Sequence, residues 1–308
     1  MRFCPVVRRR IIDRLIGYLL RAASHLLNCV PETWINRISG WVGFIWFKIF
    51  RVRRNVILEN LGYAFPAMPI GKRAQLGQAA CTHLVRTILE FLRIPRYLES
   101  NWSERVRFEG LEHFDRAKEH GKGVLLVTGH LGSFELALAA LAVRFGSLSV
   151  IVKAFPHGVD GFINAIRARA GTRMIAARGT TSAVLRTLRR NEVVVAVLDQ
   201  NARRSKGVFV TFFGQPACTM AGAALIAVRS EAAVIGASTW RELDGTHVIR
   251  IDKEFPRENA ESLGETIQRR TQQYTHFIEQ AIREHPEQWL WPHKRFKTRP
   301  INPVNDNG

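Results

Sequence analysis

A short glycine-containing segment holds two residues with the types and spacing needed for acid–base chemistry. The segment begins directly after the apolar run of residues 123–127 and reads Thr-Gly-His-Leu-Gly-Ser-Phe-Glu. It places His130 five positions before Glu135. An imidazole can accept a proton from a reacting hydroxyl when an acid holds its other ring nitrogen protonated. Glu135 falls in the first turn of a predicted helix, where the helix dipole favours a carboxylate. The segment therefore predicts a base at His130 and a supporting acid at Glu135.

The spacing alone is not decisive, because a second pair in the chain has the same separation. With ten histidines and 26 acidic residues among 308, about one such pair is expected by chance. His247 and Asp252 lie in a predicted strand, where an offset of five puts the side chains on opposite faces and roughly 16 Å apart. That pair is not expected to act together. A structural histidine that fills a turn remains the alternative for His130.

Alternating strand and helix patterns after Pro95 are typical of an α/β fold with a mostly parallel central sheet flanked by helices. The predicted strands cover residues 123–128, 149–152, 172–175, 192–198, 208–212 and 233–239. The predicted helices cover residues 134–145, 161–170, 181–190, 220–229 and 261–284. Residues 246–252 alternate strictly and predict an edge strand. Functional loops are expected at the carboxyl ends of the parallel strands, which is where His130 stands.

The amino-terminal part combines apolar helical patterns with positive charge. Apolar residues recur at helical spacing over residues 11–29, and residues 38–50 are rich in aromatic side chains. Between Arg2 and Arg54 there are eleven Lys or Arg residues against two acidic ones. This combination favours an interfacial anchor on an anionic membrane. A helical hairpin packed on its own core, or a single membrane span made by the first helix, remains an alternative.

Composition and missing motifs narrow the possible functions. The formal charge of +19 predicts a polyanionic partner, but no nucleic-acid-binding motif is visible, so nucleic acid is not expected. The four cysteines are far apart, which argues against a disulfide scaffold or a zinc site and fits a reducing compartment. Charged residues interrupt the first apolar stretch, so a cleaved signal peptide is not expected. No dinucleotide-binding, Walker A or nucleophile-elbow motif is present.

Several blocks together resemble the late acyltransferases of lipid A biosynthesis, within the glycerolipid acyltransferase superfamily marked by H-x4-[DE]. The first is the segment around His130 itself. Further similar blocks are Arg54-Asn55, Glu59-Asn60-Leu61, Ala64-Phe65-Pro66, Leu198-Asp199-Gln200, the stretch from Gly207 to Gly214, Thr219 to Gly222, Pro286 to Trp291 and Lys294 to Pro300. The similarity covers roughly residues 10–300 in the expected order.

The resemblance implies a membrane-associated O-acyltransferase of the inner membrane, with its active site on the cytoplasmic side. The acyl donor would be acyl carrier protein or acyl-CoA, and the acceptor would be a hydroxyl of a lipid A precursor. Neither a cofactor nor a metal is implied beyond the thioester co-substrate. Two alternatives remain: an acyltransferase for another lipid, such as a lysophospholipid, an amino-acid lipid or a glycosylated phospholipid, and a non-catalytic membrane protein that kept the fold.

The resemblance also implies roles for residues outside the first segment. Arg169 and Arg178 best match arginines of the family's second block and would bind substrate or stabilise negative charge, with Arg167 and Arg173 as alternatives. Asp199 ends an apolar strand and would face the same sheet edge as His130 if the two strands are parallel, where it would orient the acceptor or the loop.

Three regions are predicted along the chain. Residues 1–54 form membrane-anchoring helices, residues 55–100 form a helical lead-in, and residues 101–300 form the α/β acyltransferase domain with a basic, aromatic carboxyl-terminal tail.

Overall fold

The computed structural model describes residues 5–99, 102–146, 148–152, 159–176, 180–258 and 260–301. Its α-helices are α1 (Pro5–Cys29), α2 (Glu32–Phe44), α3 (Arg54–Ala64), α4 (Ile70–Glu99), α5 (Leu111–Glu119), α6 (Phe134–Phe145), α7 (Val159–Arg169), α8 (Thr180–Arg189), α9 (Gly222–Ser230) and α10 (Leu263–Glu284). A π-helical turn, Ile45–Phe50, extends α2. Helix α4 continues through Pro95 and ends at Glu99.

Seven strands form one central sheet, and two more form a separate hairpin. The strands are β1 (Val106–Glu109), β2 (Val124–Thr128), β3 (Leu148–Val152), β4 (Thr172–Ala176), β5 (Val193–Val197), β6 (Gly207–Phe212), β7 (Gln215–Met220), β8 (Ala233–Arg241) and β9 (His247–Glu254). The sheet has the order β1-β9-β8-β2-β5-β3-β4, and β6 pairs with β7. All neighbours in the sheet are parallel except β8 and β9, so the predicted fold class is confirmed.

Two details of the predicted sheet are wrong. Strand β9 is not at an edge, because β1 pairs with its outer side over four residues. Strand β1 is too short to give a clear period-two pattern in the sequence. The run at residues 208–212 belongs to the antiparallel β6–β7 hairpin and not to the central sheet.

The two faces of the sheet are covered by different helices. On one face, the central strands pack against α5 and α6 through side chains such as Leu126, Val195 and Leu141. On the other face, residues such as Leu125 and Val194 pack against α8, α9 and α10 and against the aromatic residues of the carboxyl-terminal tail. The central strands are thus buried on both faces, as expected for parallel strands.

The amino-terminal helices carry a row of exposed apolar side chains. We call the residues of this row on α2 and the segment after it the apolar face: Trp34, Trp41, Val42, Phe44, Ile49, Phe50 and Val52. Trp41 and Phe50 are 72% and 71% exposed. Helix α1 adds further exposed apolar residues, among them Leu19 and Leu26. Among the described residues, no helix combines the length and the apolar character that crossing a membrane requires.

Candidate active site

His130 lies at the carboxyl end of β2, in the loop that connects this strand to α6. The loop turns sharply at Gly132, whose φ of +58° is unfavourable for other residues. A Cβ on Gly132 would also lie 2.4 Å from the carbonyl oxygen of Thr239, so no larger residue fits. His130 is thereby held at the sheet edge, and its side chain is 20% exposed.

Asp199 holds the imidazole of His130. Strands β2 and β5 are parallel neighbours, with Thr128 opposite Val197, and this pairing brings Asp199 beside the loop as expected. The ring Nδ1 of His130 lies 2.7 Å from Asp199 Oδ1, and the backbone N–H of His130 donates to Oδ2 at 2.9 Å. Because an ionised carboxylate only accepts hydrogen bonds, Nδ1 carries the proton and Nε2 keeps a free electron pair. The Gln200 side-chain nitrogen lies 3.3 Å from Nε2.

The two groups shift each other's pKa in opposite directions. Burial alone would raise the pKa of the Asp199 carboxyl, but the neighbouring His130 and the hydrogen bonds it receives hold that pKa well below its usual range. Burial alone would lower the pKa of His130, and the charge and hydrogen bond of Asp199 outweigh this and raise it. The pair is therefore arranged to accept a proton at Nε2.

The carboxylate of Glu135 contacts an arginine. The contact with the imidazole of His130 that the sequence predicts for Glu135 is made by Asp199. Two nitrogens of Arg167, Nε and Nη2, donate to the Glu135 carboxylate at 3.0 and 2.5 Å. Both side chains are largely buried, at 10% and 12% exposure. The two charges are close enough to act on His130, since Glu135 raises its pKa and Arg167 lowers it. Among the described candidates, Arg167, which the sequence offered only as an alternative, is thus the arginine that lies near His130.

Arg169 and Arg173 do not share this position. Arg169 pairs with Glu99 and Arg173 with Glu192, and both arginines are about half exposed. Arg178 lies outside the described residues. A role for Arg169, Arg178 or Asp199 in binding substrate remains a prediction, as does a catalytic role for Glu135.

The carboxyl-terminal tail supports the site through residues that spacing in the sequence did not identify. The Trp289 indole donates to Asp199 Oδ2 at 2.8 Å. Gln288 accepts the backbone N–H of Gly132 through its carbonyl at 3.1 Å, and its side chain pairs with the backbone of Arg241 at the end of β8. The sequence predicts a basic, aromatic tail with blocks similar to the family's, but it does not predict the contact with Asp199, which spans 90 positions.

A fully buried arginine of the same tail holds the loop after Asp199. The Arg295 guanidinium donates to the carbonyl oxygens of Cys218 and Gln200, at 2.9 and 3.5 Å, and to the Thr219 hydroxyl. Burial lowers its pKa to about 10. These three hydrogen-bond acceptors are neutral. The negative charge of nearby Asp199 raises the pKa of Arg295 and thus helps to keep the guanidinium ionised.

Two spaces adjoin the site. A small, narrow gap lies between α6 and the sheet, from Thr128, Gly129 and Phe134 beside the loop to Leu141 and Ile249. Its walls are almost entirely apolar. A larger groove lies on the other side, between α8 and α9. It has an apolar floor that includes Leu198, and a rim with Lys206 and several hydroxyl groups.

Comparison with known proteins identifies the family. The family model for the bacterial lipid A biosynthesis acyltransferases matches residues 7–298. The chain belongs to this family. It is accordingly an acyltransferase, and its resemblance to the late acyltransferases of lipid A biosynthesis is confirmed.

Individual relatives carry the same description. The chain is 24% identical over 284 residues to a lipid A biosynthesis acyltransferase of Haemophilus influenzae, covering 89% of this chain and 85% of that protein. It is 24% identical over 280 residues to the lipid A biosynthesis lauroyltransferase of Escherichia coli, covering 88% of each chain. A phosphatidylinositol mannoside acyltransferase of Mycobacterium tuberculosis is 28% identical over 138 residues, which is 43% of each chain.

Proposed function

We propose that this enzyme transfers a fatty acyl group from a thioester, carried by acyl carrier protein or coenzyme A, to a hydroxyl of a lipid A precursor. The observation that carries the proposal is the His130–Asp199 pair at the carboxyl edge of the central sheet, in a chain of this family. The larger groove, with an apolar floor and a polar rim, suits an amphipathic acceptor.

His130 acts as the general base, with Asp199 as its positioning residue. The acceptor hydroxyl takes the place of the Gln200 amide at Nε2 and gives its proton to this nitrogen as its oxygen attacks the thioester carbonyl carbon. The new C–O bond forms and the carbonyl oxygen becomes an oxyanion. When the intermediate collapses, the C–S bond breaks and the thiolate leaves with the proton from His130. Asp199 stabilises the imidazolium between these steps.

Arg167 stabilises the oxyanion, and Glu135 positions Arg167. The backbone N–H groups of His130 and Gly132 already donate to Asp199 and Gln288, so the loop has few donors left for an oxyanion. A guanidinium held by a bidentate carboxylate contact is rigid and poorly solvated, which makes its charge effective at this point.

We propose that the enzyme acts at the cytoplasmic face of the inner membrane, and the proposed acceptor and the surface of the molecule support this placement. The apolar face would enter the interfacial layer, and Arg51 and Arg53, which are exposed beside it, would contact anionic head groups. We expect neither an organic cofactor nor a metal beyond the thioester, because the base, its acid and the arginine provide the required groups. Nucleic acid is not expected as a partner.

Transfer to another lipid acceptor is the second candidate function. The partial match to a phosphatidylinositol mannoside acyltransferase favours it, because the name of that protein gives a different acceptor class. The identity is higher than to the two lipid A relatives above, although the matched stretch is shorter. The base and its acid would be the same, and the acceptor groove would differ in what it binds.

Mass spectrometry of total lipid A tests the proposal. Cells that lack this protein should contain a species lighter by one acyl group, and the wild-type gene should restore the full species. His130→Ala, expressed at the same level, should not restore it. Unchanged lipid A in the deletion strain would refute transfer to lipid A, and a whole-lipidome comparison would then identify the acceptor.

A further inference from the structure

The reacting nitrogen of His130 is covered by one side chain. Among the described residues, the Gln200 amide nitrogen is the group within hydrogen-bond distance of Nε2, at 3.3 Å. Because Asp199 fixes the proton on Nδ1, Nε2 is the acceptor of this contact and the amide N–H is the donor. The amide therefore occupies the free electron pair that the base needs for its reaction.

The backbone of Gln200 is fixed on both sides, whereas its side chain is exposed. On one side, Asp199 is buried and accepts three hydrogen bonds. On the other side, the backbone N–H of Asn201 donates to His293 Nε2 at 2.9 Å, and the Asn201 side chain pairs with Thr298. The Gln200 side chain makes no second hydrogen bond within the described part of the chain. It can therefore swing away from Nε2 and return while the loop stays in place.

An uncovered base at this position would also activate water. The ring of Phe134 packs edge-to-face on the imidazole, with 4.9 Å between the ring centroids, and Asp199 covers Nδ1. His130 is nevertheless 20% exposed, and Gln200 at Nε2 is itself exposed, so solvent reaches this edge of the ring. A water oxygen would bond to the thioester carbonyl carbon, one water proton would pass through Nε2 to the thiolate, and the C–S bond would break. The donor would then be lost as a free fatty acid.

The hydrogen bond from Gln200 discriminates between water and a bound acceptor. A hydrogen bond between two neutral groups keeps Nε2 occupied for most of the time, because it contributes a factor of about five to an equilibrium. Water is not held by the site and can react only when the amide has moved away. An acceptor in the groove is held by its apolar and polar parts together, so displacing one weak hydrogen bond takes only a small share of its binding free energy.

We propose that Gln200 is a specificity-determining residue, which keeps Nε2 of His130 from activating water until the acceptor displaces the amide. The inference rests on the proposed function, because it requires His130 as the base and a thioester as the donor. It goes further by assigning to one side chain the choice between transfer to the lipid and hydrolysis of the donor.

Hydrolysis of the donor in the absence of acceptor is the decisive measurement. Purified wild type and Gln200→Ala are given dodecanoyl thioesters of acyl carrier protein and of coenzyme A, and the released thiol and dodecanoic acid are measured. We expect Gln200→Ala to hydrolyse the donor about five times faster than the wild type. A structural defect would slow the reaction and could not produce this gain. An unchanged or slower hydrolysis in Gln200→Ala would overturn the inference.

Gln268→Ala is the matched control. Gln268 is also an exposed glutamine with one long side-chain hydrogen bond, at 3.4 Å, but it lies on α10 and donates to the carbonyl oxygen of Phe209 on β6. It should hydrolyse the donor at the wild-type rate. A gain equal to that of Gln200→Ala would overturn the inference, because the effect would not be specific to the residue at Nε2.

Two further variants separate the causes. Gln200→Met keeps the length of the side chain without an N–H, so it should hydrolyse the donor as fast as Gln200→Ala, and a wild-type rate would overturn the role of the hydrogen bond. Adding His130→Ala to Gln200→Ala should abolish the gained hydrolysis, because water then has no base. A gain that persists in this double variant would overturn the inference.

Transfer by the wild type separates this inference from the proposed function. The same two donors are given to the wild type together with a lipid A precursor, and the acylated product is measured by mass spectrometry. Normal transfer combined with unchanged hydrolysis in Gln200→Ala would overturn the inference alone. Transfer from neither donor would count against the proposed function itself.

Discussion

Asp199 accepts two hydrogen bonds from His130 alone, one from the ring at 2.7 Å and one from the backbone at 2.9 Å. The carboxylate therefore fixes the loop and the ring together. With Trp289 as a further donor, the carboxylate accepts three N–H hydrogen bonds. The orientation of the base thus depends on a residue of the neighbouring strand and on the carboxyl-terminal tail.

Asp199→Asn should lower kcat about a thousandfold, because the amide cannot stabilise an imidazolium and can favour the wrong tautomer of His130. Steady-state kinetics with saturating donor measure this loss. Glu135→Gln is the control, since it changes the other acid near the ring without touching Nδ1, and its effect should be smaller. A larger loss in Glu135→Gln than in Asp199→Asn would restore Glu135 as the acid that supports the base.

The same substitution should move the pH profile. His130 must be neutral to accept a proton, so kcat/KM of the wild type should rise with pH through the raised pKa of this residue. In Asp199→Asn the burial of the ring remains and the opposing charge is lost, so the pKa falls and the acidic limb moves to lower pH. Profiles of kcat/KM against pH for both proteins provide the measurement. An unshifted limb would mean that His130 is not the group that titrates.

Arg167→Ala should lower kcat about a hundredfold, with a smaller change in KM, if the guanidinium stabilises the oxyanion. Arg167→Lys should recover only part of this loss, because an ammonium cannot make the bidentate contact with Glu135. Adding Glu135→Ala to Arg167→Ala should cost little more, since Glu135 then has nothing to position. Kinetics of the two single variants and the double variant complete the cycle. Additive losses would show that Glu135 acts independently of Arg167.

The sequence located the site but not its internal contacts. The order of strand, loop and helix around His130, and the parallel strand ending at Asp199, follow from local patterns, so both residues could be placed at one sheet edge. Which of two acids meets the ring depends on side-chain directions at the loop corner, and spacing does not encode these. The contact from Trp289 joins distant parts of the chain, and only the folded chain reveals it.

Membrane binding should depend on the apolar face. Trp41→Ser and Phe50→Ser should each weaken co-sedimentation with vesicles containing phosphatidylglycerol about tenfold, because each removes an exposed aromatic ring that would enter the interface. Leu243→Ser is the control, since Leu243 is fully exposed on the turn between β8 and β9, outside the apolar face. Binding should also weaken with added salt. Wild-type binding in both aromatic variants would show that another surface meets the membrane.

Glu90 should control stability through a buried ionic cluster behind the loop that carries His130. It is fully buried and accepts hydrogen bonds from Arg241 at 2.6 Å and from Arg86 at 3.0 Å. Glu90→Gln leaves the buried Arg241 without its countercharge, so the free energy of unfolding should fall by about 3–5 kcal/mol. Urea unfolding measures this, with Glu284→Gln as the control, because the pair of Glu284 with Arg250 is exposed and should contribute less than about 1 kcal/mol.

The same cluster predicts acid sensitivity. Burial would raise the pKa of Glu90, but Arg241, His247 and Arg86 lower it to about 2. Its contribution is therefore present above the unfolded value near 4.5 and is lost as the pH falls toward 2. Burial, followed by the charge of Arg241, lowers the pKa of His83 to about 3, and burial lowers the pKa of His247 to about 4. As the pH falls below about 6.5, the unfolded chain therefore binds protons at these two residues more readily than the folded chain does. This difference lowers the stability of the folded state. All three groups act in the same direction. The free energy of unfolding should thus decrease steadily from neutral to acidic pH, and a flat profile would contradict this account of the cluster.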